Sequence, residues 1–396
     1  MQKQSRISEM LHPLIRAGIV AKLGLTPSQE AALQQLYGDC ILSELIPPNT
    51  AQALLPFEIE VIHAAYSEVE KELRARRELQ KKGNNSMSFY LSHRPRRNMV
   101  IKEVPPDFFE SHGIQLTPFA EEKWVATVPP AISLRSGMSD AKDQGPAGHC
   151  TSFAVIGCLD YLHGKIDLSE SSLTHEAERR HGDCNEGLAL AHAFETATAL
   201  GVVAQTDWQN DPRQTCWTNP PNTAGKPRYK FNANRLVFYR PAEAVLAVME
   251  GQLRNGIHNS WEHPVEQYSL EKFTDPAFPQ PQNFVRLLKA TLANAKTPVA
   301  ISLPVWWEGD GHFSAGWEDG PDIQMPTPVH LQNFLQNASP PNVSGWHAVA
   351  VCGYDDRTGR FEFKNSWHNW WGDQGFGTLP YDYVTAYARE GMHGWL

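Results

Sequence analysis

The sequence predicts an α+β fold in which a helical part precedes a part made of antiparallel strands. Residues from Thr151 onward are apolar enough for a buried helix. Segments 346–353 and 360–364 have the pattern of two antiparallel strands, and the turn residues at 355–359 join them. Alternating apolar residues at 298–304 predict one more strand.

Composition and charge exclude several classes of function. The chain has 396 residues, 41% of them hydrophobic, which is enough for a large core. Its formal net charge of −9 gives no support for nucleic-acid binding. It has no run of about 18 apolar residues, so we expect no membrane span. Its six cysteines are too scattered for a disulfide scaffold and lack the spacing of a zinc site, so we expect neither a metal nor another cofactor.

The beginning of the chain does not resemble a signal peptide. The stretch Met10–Leu25 is interrupted by polar residues, a proline and a glycine, so it forms no apolar core. We therefore expect a cytoplasmic protein with free thiols. A specialised secretion route would not require an apolar signal segment, so delivery by such a route stays open.

Residues 1–120 differ from 121–396 and are predicted to form a mainly helical N-terminal region. Thr26-Pro27-Ser28 has the pattern of a helix start, and an apolar stripe predicts a longer helix over about 57–82. The basic residues at 94–97 fit a solvated loop, or alternatively a partner site.

The later part of the chain is predicted to contain further elements separated by two insertions. Segments 209–280 and 305–343 are rich in Pro, Trp and polar residues and are expected to be largely irregular. The expected further elements are helices at 188–197, 242–251, 284–295 and 381–389, and strands at 228–239 and 375–379.

In the segment 143–153, a glycine-rich loop leads into a predicted helix, and Cys150 lies at the start of that helix. Free N–H groups and the helix dipole at that position favour a thiolate. His347 begins one predicted strand and Asn365 ends the next. Because these strands are expected to be antiparallel, the two side chains should lie close together.

Four motifs in this order resemble the papain-like cysteine peptidase family (C1-type). They are Gln144-Gly-Pro-Ala-Gly-His-Cys150, His347–Tyr354, Lys364–Trp367 and Trp371–Gly377. The match covers about 128–383, and Cys150-Thr151 in place of Cys-Trp is similar to the bacterial-type branch. The resemblance implies a two-lobe fold, with a helical lobe, an antiparallel β-barrel-like lobe and the active site between them.

The resemblance also implies a role for each matched residue. Cys150 would be the nucleophile and His347 its base, Asn365 would orient the imidazole, and Gln144 would donate to the oxyanion. An imidazole can make the thiolate at neutral pH, and a side-chain amide can fix its tautomer. The implied substrate-binding residues are Gly187, Trp346, Ala348 and Trp367. Trp367 would shield the contact between asparagine and histidine, or serve only as a core residue.

Several positions depart from the family pattern. Ala147 replaces a cysteine whose usual disulfide partner matches Cys184, while Glu186 and His368 replace glycines. These changes affect the expected specificity rather than the catalytic set. His149 either perturbs Cys150 or points to solvent, and solvent is the favoured interpretation.

The sequence thus predicts a cysteine endopeptidase that cleaves protein or peptide substrates through a thioester. Residues 1–120 occupy the place of an inhibitory pro-segment, which implies that they cover the cleft. The alternative is a permanent domain that recruits a partner or substrate protein. Two other activities stay open for the whole chain: acyl transfer on the same fold, as in a transpeptidase or deamidase, and binding by a catalytically dead scaffold.

Overall fold

A computed structural model describes residues 101–116, 128–145, 148–182, 187–211, 219–254, 279, 281–306, 313–318, 320–339, 342–343 and 345–396. All of them lie in one compact unit, Arg97–Leu396. The helices predicted before residue 83 and the basic loop at 94–97 lie outside these residues. The division into regions 1–120 and 121–396 stays a prediction.

The described residues form both helices and strands. The helices are α1 (Asp107–Ser111), α2 (Cys150–Leu162), α3 (Glu170–His181), α4 (Leu190–Ala199), α5 (Ala242–Arg254), α6 (Phe284–Ala290), α7 (Pro328–Asn337) and α8 (Tyr381–Tyr387). The strands are β1 (Gln115–Leu116), β2 (Ala131–Ser133), β3 (Ala233–Tyr239), β4 (Val299–Pro304), β5 (Ala338–Ser339), β6 (Asn342–Val343), β7 (Trp346–Asp355), β8 (Arg360–Lys364), β9 (Phe376–Pro380) and β10 (Glu390–Trp395).

The main sheet has the order β1-β3-β10-β4-β7-β8-β9, with β2 paired to β7. Only the β1–β3 pair is parallel among the strand pairs of the described residues. The combination of helices with an antiparallel sheet confirms the predicted α+β class. The strands predicted at 298–304, 346–353 and 360–364 are present as β4, β7 and β8.

Other predicted elements differ from the structure. The closing helix ends at Tyr387 rather than residue 389, and the chain then forms β10, which the sequence did not predict. Gly391 and Gly394 lie in that strand, where added Cβ atoms would collide with the rings of Phe238 and Phe231. Glycine in a strand allows this close approach, but it also removes the alternation by which a strand is recognised.

Two more differences concern helices and the first long strand. The insertion 305–343 contains helix α7, which the sequence did not predict. The helix predicted over 284–295 is present as α6, but its continuation, Thr291–Ala295, is π-helical. The strand predicted from residue 228 begins only at Ala233.

Helix α2 and strand β7 are the two elements that bring the candidate catalytic residues together. Residues Cys150–Asp160 of α2 are all buried, as are Trp346–Tyr354 of β7. A Cβ added to Gly157 would lie 3.4 Å from the Cβ of Ala350, so the helix and the strand approach closely. This contact holds the first residue of α2 near the start of β7.

The segment 101–116 packs into the same unit as these elements. Ile101 and Phe109 are buried, and β1 pairs with β3. Arg389, itself buried, donates hydrogen bonds to the carbonyls of Ile101 and Lys102, at 3.3 and 2.8 Å. An N-terminal region that can be removed without breaking these contacts must end before residue 101.

None of the helices in the described part of the chain combines the length and the hydropathy needed to cross a membrane.

Candidate active site

The site centres on a hydrogen bond between His347, the second residue of β7, and Asn365, which directly follows β8. His347 Nε2 lies 2.8 Å from Asn365 Oδ1, and both residues are buried. Oδ1 also accepts the backbone N–H of Ser366 at 2.8 Å, which fixes the orientation of the amide. Because Oδ1 can only accept, Nε2 must carry the proton of the neutral imidazole. The other ring nitrogen, Nδ1, is then the basic atom.

Cys150 is the first residue of α2, and its side chain is fully buried. Its sulfur accepts a hydrogen bond from the backbone N–H of Ala348, the residue after His347. Burial raises the pKa of the thiol to about 11, and the N–H groups of Ala348 and Thr151 lower it by less than burial raises it. The helix terminus alone therefore does not produce the expected thiolate.

Gln144 is held against the segment that follows β8. Its Oε1 accepts the hydroxyl of Ser366 at 2.5 Å, and its backbone N–H donates to the carbonyl of Ser366 at 2.9 Å. Within the loop, Asp143 Oδ1 accepts the N–H of Gly145 at 2.9 Å. Because Oε1 accepts this bond, Nε2 lies at the other side of the Gln144 amide, away from the Ser366 hydroxyl.

An aromatic cluster covers the imidazole. The ring of Trp367 lies 4.8 Å from that of His347, and Phe313 stacks on Trp367 at 5.1 Å. Trp317 approaches His347 edge to face at 6.0 Å, and its Nε1 donates to Tyr383 Oη at 3.1 Å. These rings exclude water from the bond between His347 and Asn365, which strengthens it.

Sequence reasoning did not identify Phe313 and Trp317 as site residues. They belong to the insertion 305–343. Its high tryptophan content is a sequence signal that the insertion packs against another part of the protein. Which residues it covers depends on the path of the chain, and no local pattern encodes that path.

The expected substrate-binding residues occupy different environments. Ala348 contributes its N–H to Cys150, and Gly187 is buried with a φ of +85°, a backbone conformation that favours glycine. The side chain of Trp346 is fully buried, packing 5.7 Å from Phe334. Trp367 lies over His347. Contact of these four residues with a substrate stays a prediction.

The expectation that His149 points to solvent is wrong. Its side chain is 7% exposed, and burial lowers the pKa of the imidazole to about 4. The charge of Asp211 acts in the opposite direction but is the smaller effect. His149 is therefore a neutral, buried residue beside Cys150.

His368 has a φ of +68°, so the histidine adopts a conformation that favours glycine. This matches the sequence observation that it replaces a glycine. The other departures, at Ala147, Cys184 and Glu186, lie outside the described residues.

A buried ionic network lies beneath the site, and sequence reasoning did not find it. Lys142 Nζ is 2.8 Å from Glu170 Oε1, and Lys364 Nζ donates to Ser139 Oγ at 2.8 Å. A cavity of about 10 Å³ is lined by both lysines together with Glu170 and Asn365. It is the size of a single water molecule, too small for a substrate. In the described part of the chain, no group of three or more His, Cys, Asp or Glu side chains is arranged to hold a metal ion.

Comparisons with known proteins gave results only at the level of structure. No family model matches the sequence, and no curated protein matches it. The structure is similar to xylellain, a cysteine protease from Xylella fastidiosa, with a TM-score of 0.48 and 20% identity over 76% of this chain and 98% of that chain.

Two further solved structures are similar to this chain. Digestive procathepsin L 3 from the larval midgut of Tenebrio molitor gives a TM-score of 0.44 and 14% identity, over 92% of this chain and 99% of that one. The cysteine protease CMS1MS2 from Carica candamarcensis gives a TM-score of 0.41 and 17% identity, over 68% of this chain and 99% of that one.

Proposed function

We propose that this chain is a papain-like cysteine endopeptidase that hydrolyses peptide bonds in protein or peptide substrates. The observation that carries the proposal is the hydrogen bond of 2.8 Å between His347 and Asn365, next to the N–H of Ala348 that contacts the Cys150 sulfur. An imidazole oriented by an asparagine, on the residue directly before the one whose N–H contacts the thiol, supports a thiol-based catalytic site.

In the proposed mechanism, His347 Nδ1 takes the proton of Cys150, and the sulfur attacks the carbonyl carbon of the substrate. The oxyanion accepts hydrogen bonds from Gln144 Nε2 and from the backbone N–H of Cys150 at the start of α2. The imidazolium then gives its proton to the leaving amine as the C–N bond breaks, which leaves a thioester. Water, deprotonated by His347, hydrolyses the thioester and restores the thiol.

The proposal extends to the setting of the enzyme. The Cys150-Thr151 pair supports the bacterial-type branch of the family, and the proposed location is the cytoplasm. The N-terminal region would bind either its own cleft or a partner protein. Free thiols at Cys158 and Cys352, both buried, are consistent with a reducing compartment.

The first experiment is incubation of the purified full chain with a peptide library, with the products identified by mass spectrometry. We expect cleaved peptides and covalent labelling of Cys150 by a thiol-directed electrophile. Adding a primary amine separates hydrolysis from acyl transfer, since a transferase would form the amide in preference to the acid. A chain that neither cleaves nor modifies any peptide, and whose Cys150 is not labelled, would rule out the proposal.

We also expect removal of the N-terminal region to raise the activity. A recognition site for a sequence-specific protease, inserted directly before Arg97, would let residues 1–96 be cut from the folded chain while 101–116 stay in place. A tethered occupant of a cleft acts at an effective concentration on the order of mM, so hydrolysis of a small peptide should rise at least about tenfold.

The control is the same variant incubated with inactivated protease. Unchanged hydrolysis of the small peptide after cutting would contradict an inhibitory role. If cleavage of a protein substrate fell at the same time, the N-terminal region would instead be a recruiting domain.

A further inference from the structure

Ser366 lies between two of the residues to which the proposed mechanism assigns roles. Its backbone N–H donates to Asn365 Oδ1 at 2.8 Å, and its hydroxyl donates to Gln144 Oε1 at 2.5 Å. Its carbonyl accepts the backbone N–H of Gln144 at 2.9 Å. Ser366 is 3% exposed, so these bonds form away from bulk water. One residue therefore contacts both side-chain amides of the site.

A side-chain amide has two orientations, which exchange its oxygen and its nitrogen. Only one orientation of Gln144 presents an N–H donor to a developing oxyanion; the other presents an oxygen, which would repel it. The separation of 2.5 Å between the Ser366 and Gln144 oxygens lies at the short end of the range for O–H···O bonds and below the range for N–H···O bonds. The hydroxyl therefore pairs with Oε1, and Nε2 is left on the side away from Ser366.

The same reasoning applies to Asn365. A backbone N–H can only donate, so the bond from Ser366 requires the oxygen of the amide and not its nitrogen. The oxygen that accepts this bond is the one that His347 Nε2 approaches. The orientation of Asn365 in turn fixes the tautomer of the histidine.

We propose that Ser366 is a positioning residue that selects the productive orientation of both amides, Gln144 through its hydroxyl and Asn365 through its N–H. The inference rests on the proposed peptidase function and adds a residue to it. It predicts that the oxyanion donor, Gln144, and the support of the imidazole, Asn365, both depend on Ser366. A change at Ser366 should therefore affect transition-state stabilisation rather than substrate binding.

The test is Ser366→Ala, which removes the hydroxyl and keeps both backbone bonds. Because a misdirected Gln144 is equivalent to a partly lost donor, kcat should fall about 10- to 100-fold, while KM changes by less than about twofold. Affinity for a peptide aldehyde, which forms a tetrahedral adduct on the sulfur, should fall by a similar factor. The rate of alkylation of Cys150 by iodoacetamide should not change, since that reaction develops no oxyanion.

A double-mutant cycle with Gln144→Ala shows whether the effect passes through Gln144. Once the glutamine amide is absent, Ser366→Ala should cause no further loss of kcat. The matched control is Ser172→Ala, which removes the hydroxyl of a buried serine of α3. We expect this control to leave kcat and aldehyde affinity unchanged.

Two results would overturn the proposal while leaving the peptidase function intact. One is an active wild-type chain in which Ser366→Ala changes neither kcat nor aldehyde affinity. The other is a loss of kcat that is fully additive with that of Gln144→Ala. A wild-type chain with no hydrolysis and no labelling of Cys150 would instead remove the proposed function, and this inference with it.

Discussion

Replacing Cys150 with alanine is expected to reduce peptide hydrolysis by about 10⁴-fold or more, because no other group in the mechanism can form the thioester. The substitution removes one sulfur atom at the start of α2 and changes no backbone bond. The folded structure should therefore persist, with a melting temperature close to that of the wild type. Steady-state hydrolysis of a fluorogenic peptide and mass spectrometry after treatment with a thiol-directed electrophile measure the effect.

The matched control is Cys158→Ala, which changes a second buried cysteine of the same helix. Burial raises the pKa of the Cys158 thiol well above its usual range, and no imidazole is assigned to it, so it should remain unlabelled in both proteins. The control should retain activity. Labelling of another cysteine in Cys150→Ala, with activity preserved, would contradict the assignment of the nucleophile.

Replacing His347 with alanine is expected to lower kcat/KM by about 10²- to 10⁴-fold, the range that a general acid–base residue typically contributes. Without the imidazole, the buried thiol has no acceptor for its proton, and because burial raises the pKa of the thiol, little thiolate exists at neutral pH. Alkylation of Cys150 by iodoacetamide should slow for the same reason. Measuring its rate between pH 6 and 10 would show a rise only at the alkaline end.

His330→Ala is the control for this variant. Its ring is buried and takes part in hydrogen bonds with Ser314 Oγ at 2.9 Å and with the N–H of Thr327 at 3.1 Å, which supports the fold of the insertion. We expect it to keep its activity. If His347→Ala stayed active and His330→Ala did not, the base would have been assigned to the wrong histidine. His312, which belongs to the same insertion, lies outside the described residues.

The prediction for His347 depends on the chain remaining folded. The alanine leaves a cavity under Trp367 and removes the partner of Asn365, which costs about 1–3 kcal/mol for the unmade hydrogen bond. Circular dichroism and thermal unfolding should show a folded protein with a lower midpoint. A loss of activity that accompanied complete unfolding would not distinguish a base from a core residue, so His347→Gln, which keeps a polar side chain, should be measured in parallel. It should remain folded and inactive.

Local patterns were enough to predict how the two strands bring His347 and Asn365 together. A turn of about five residues joins the alternating segments, so pairing across it needs no information from the rest of the chain. Helix α2 could be predicted for a similar reason, because its apolar residues are consecutive and a glycine-rich loop precedes it. The residues that form these elements are close in sequence. The directions of their side chains therefore follow from the periodicity of the helix or strand.

The environment of Cys150 could not be predicted in the same way. The position at a helix start suggested a thiolate, but the full burial of the thiol raises its pKa, and burial depends on how α2 packs against β7. His149 gave the same kind of error: a polar residue in a loop was expected in solvent, and the fold buries it.

By itself, the sequence determined the order of cysteine, histidine and asparagine, the elements that carry them and the resemblance that suggests their chemistry. Only the tertiary structure decided what surrounds them. Phe313 and Trp317 reach the imidazole from an insertion, and Ser366 meets Gln144 across 222 residues of chain. Hydrophobic periodicity and turn residues act over a few neighbours, whereas the partner of a buried side chain is set by which distant segments pack against it.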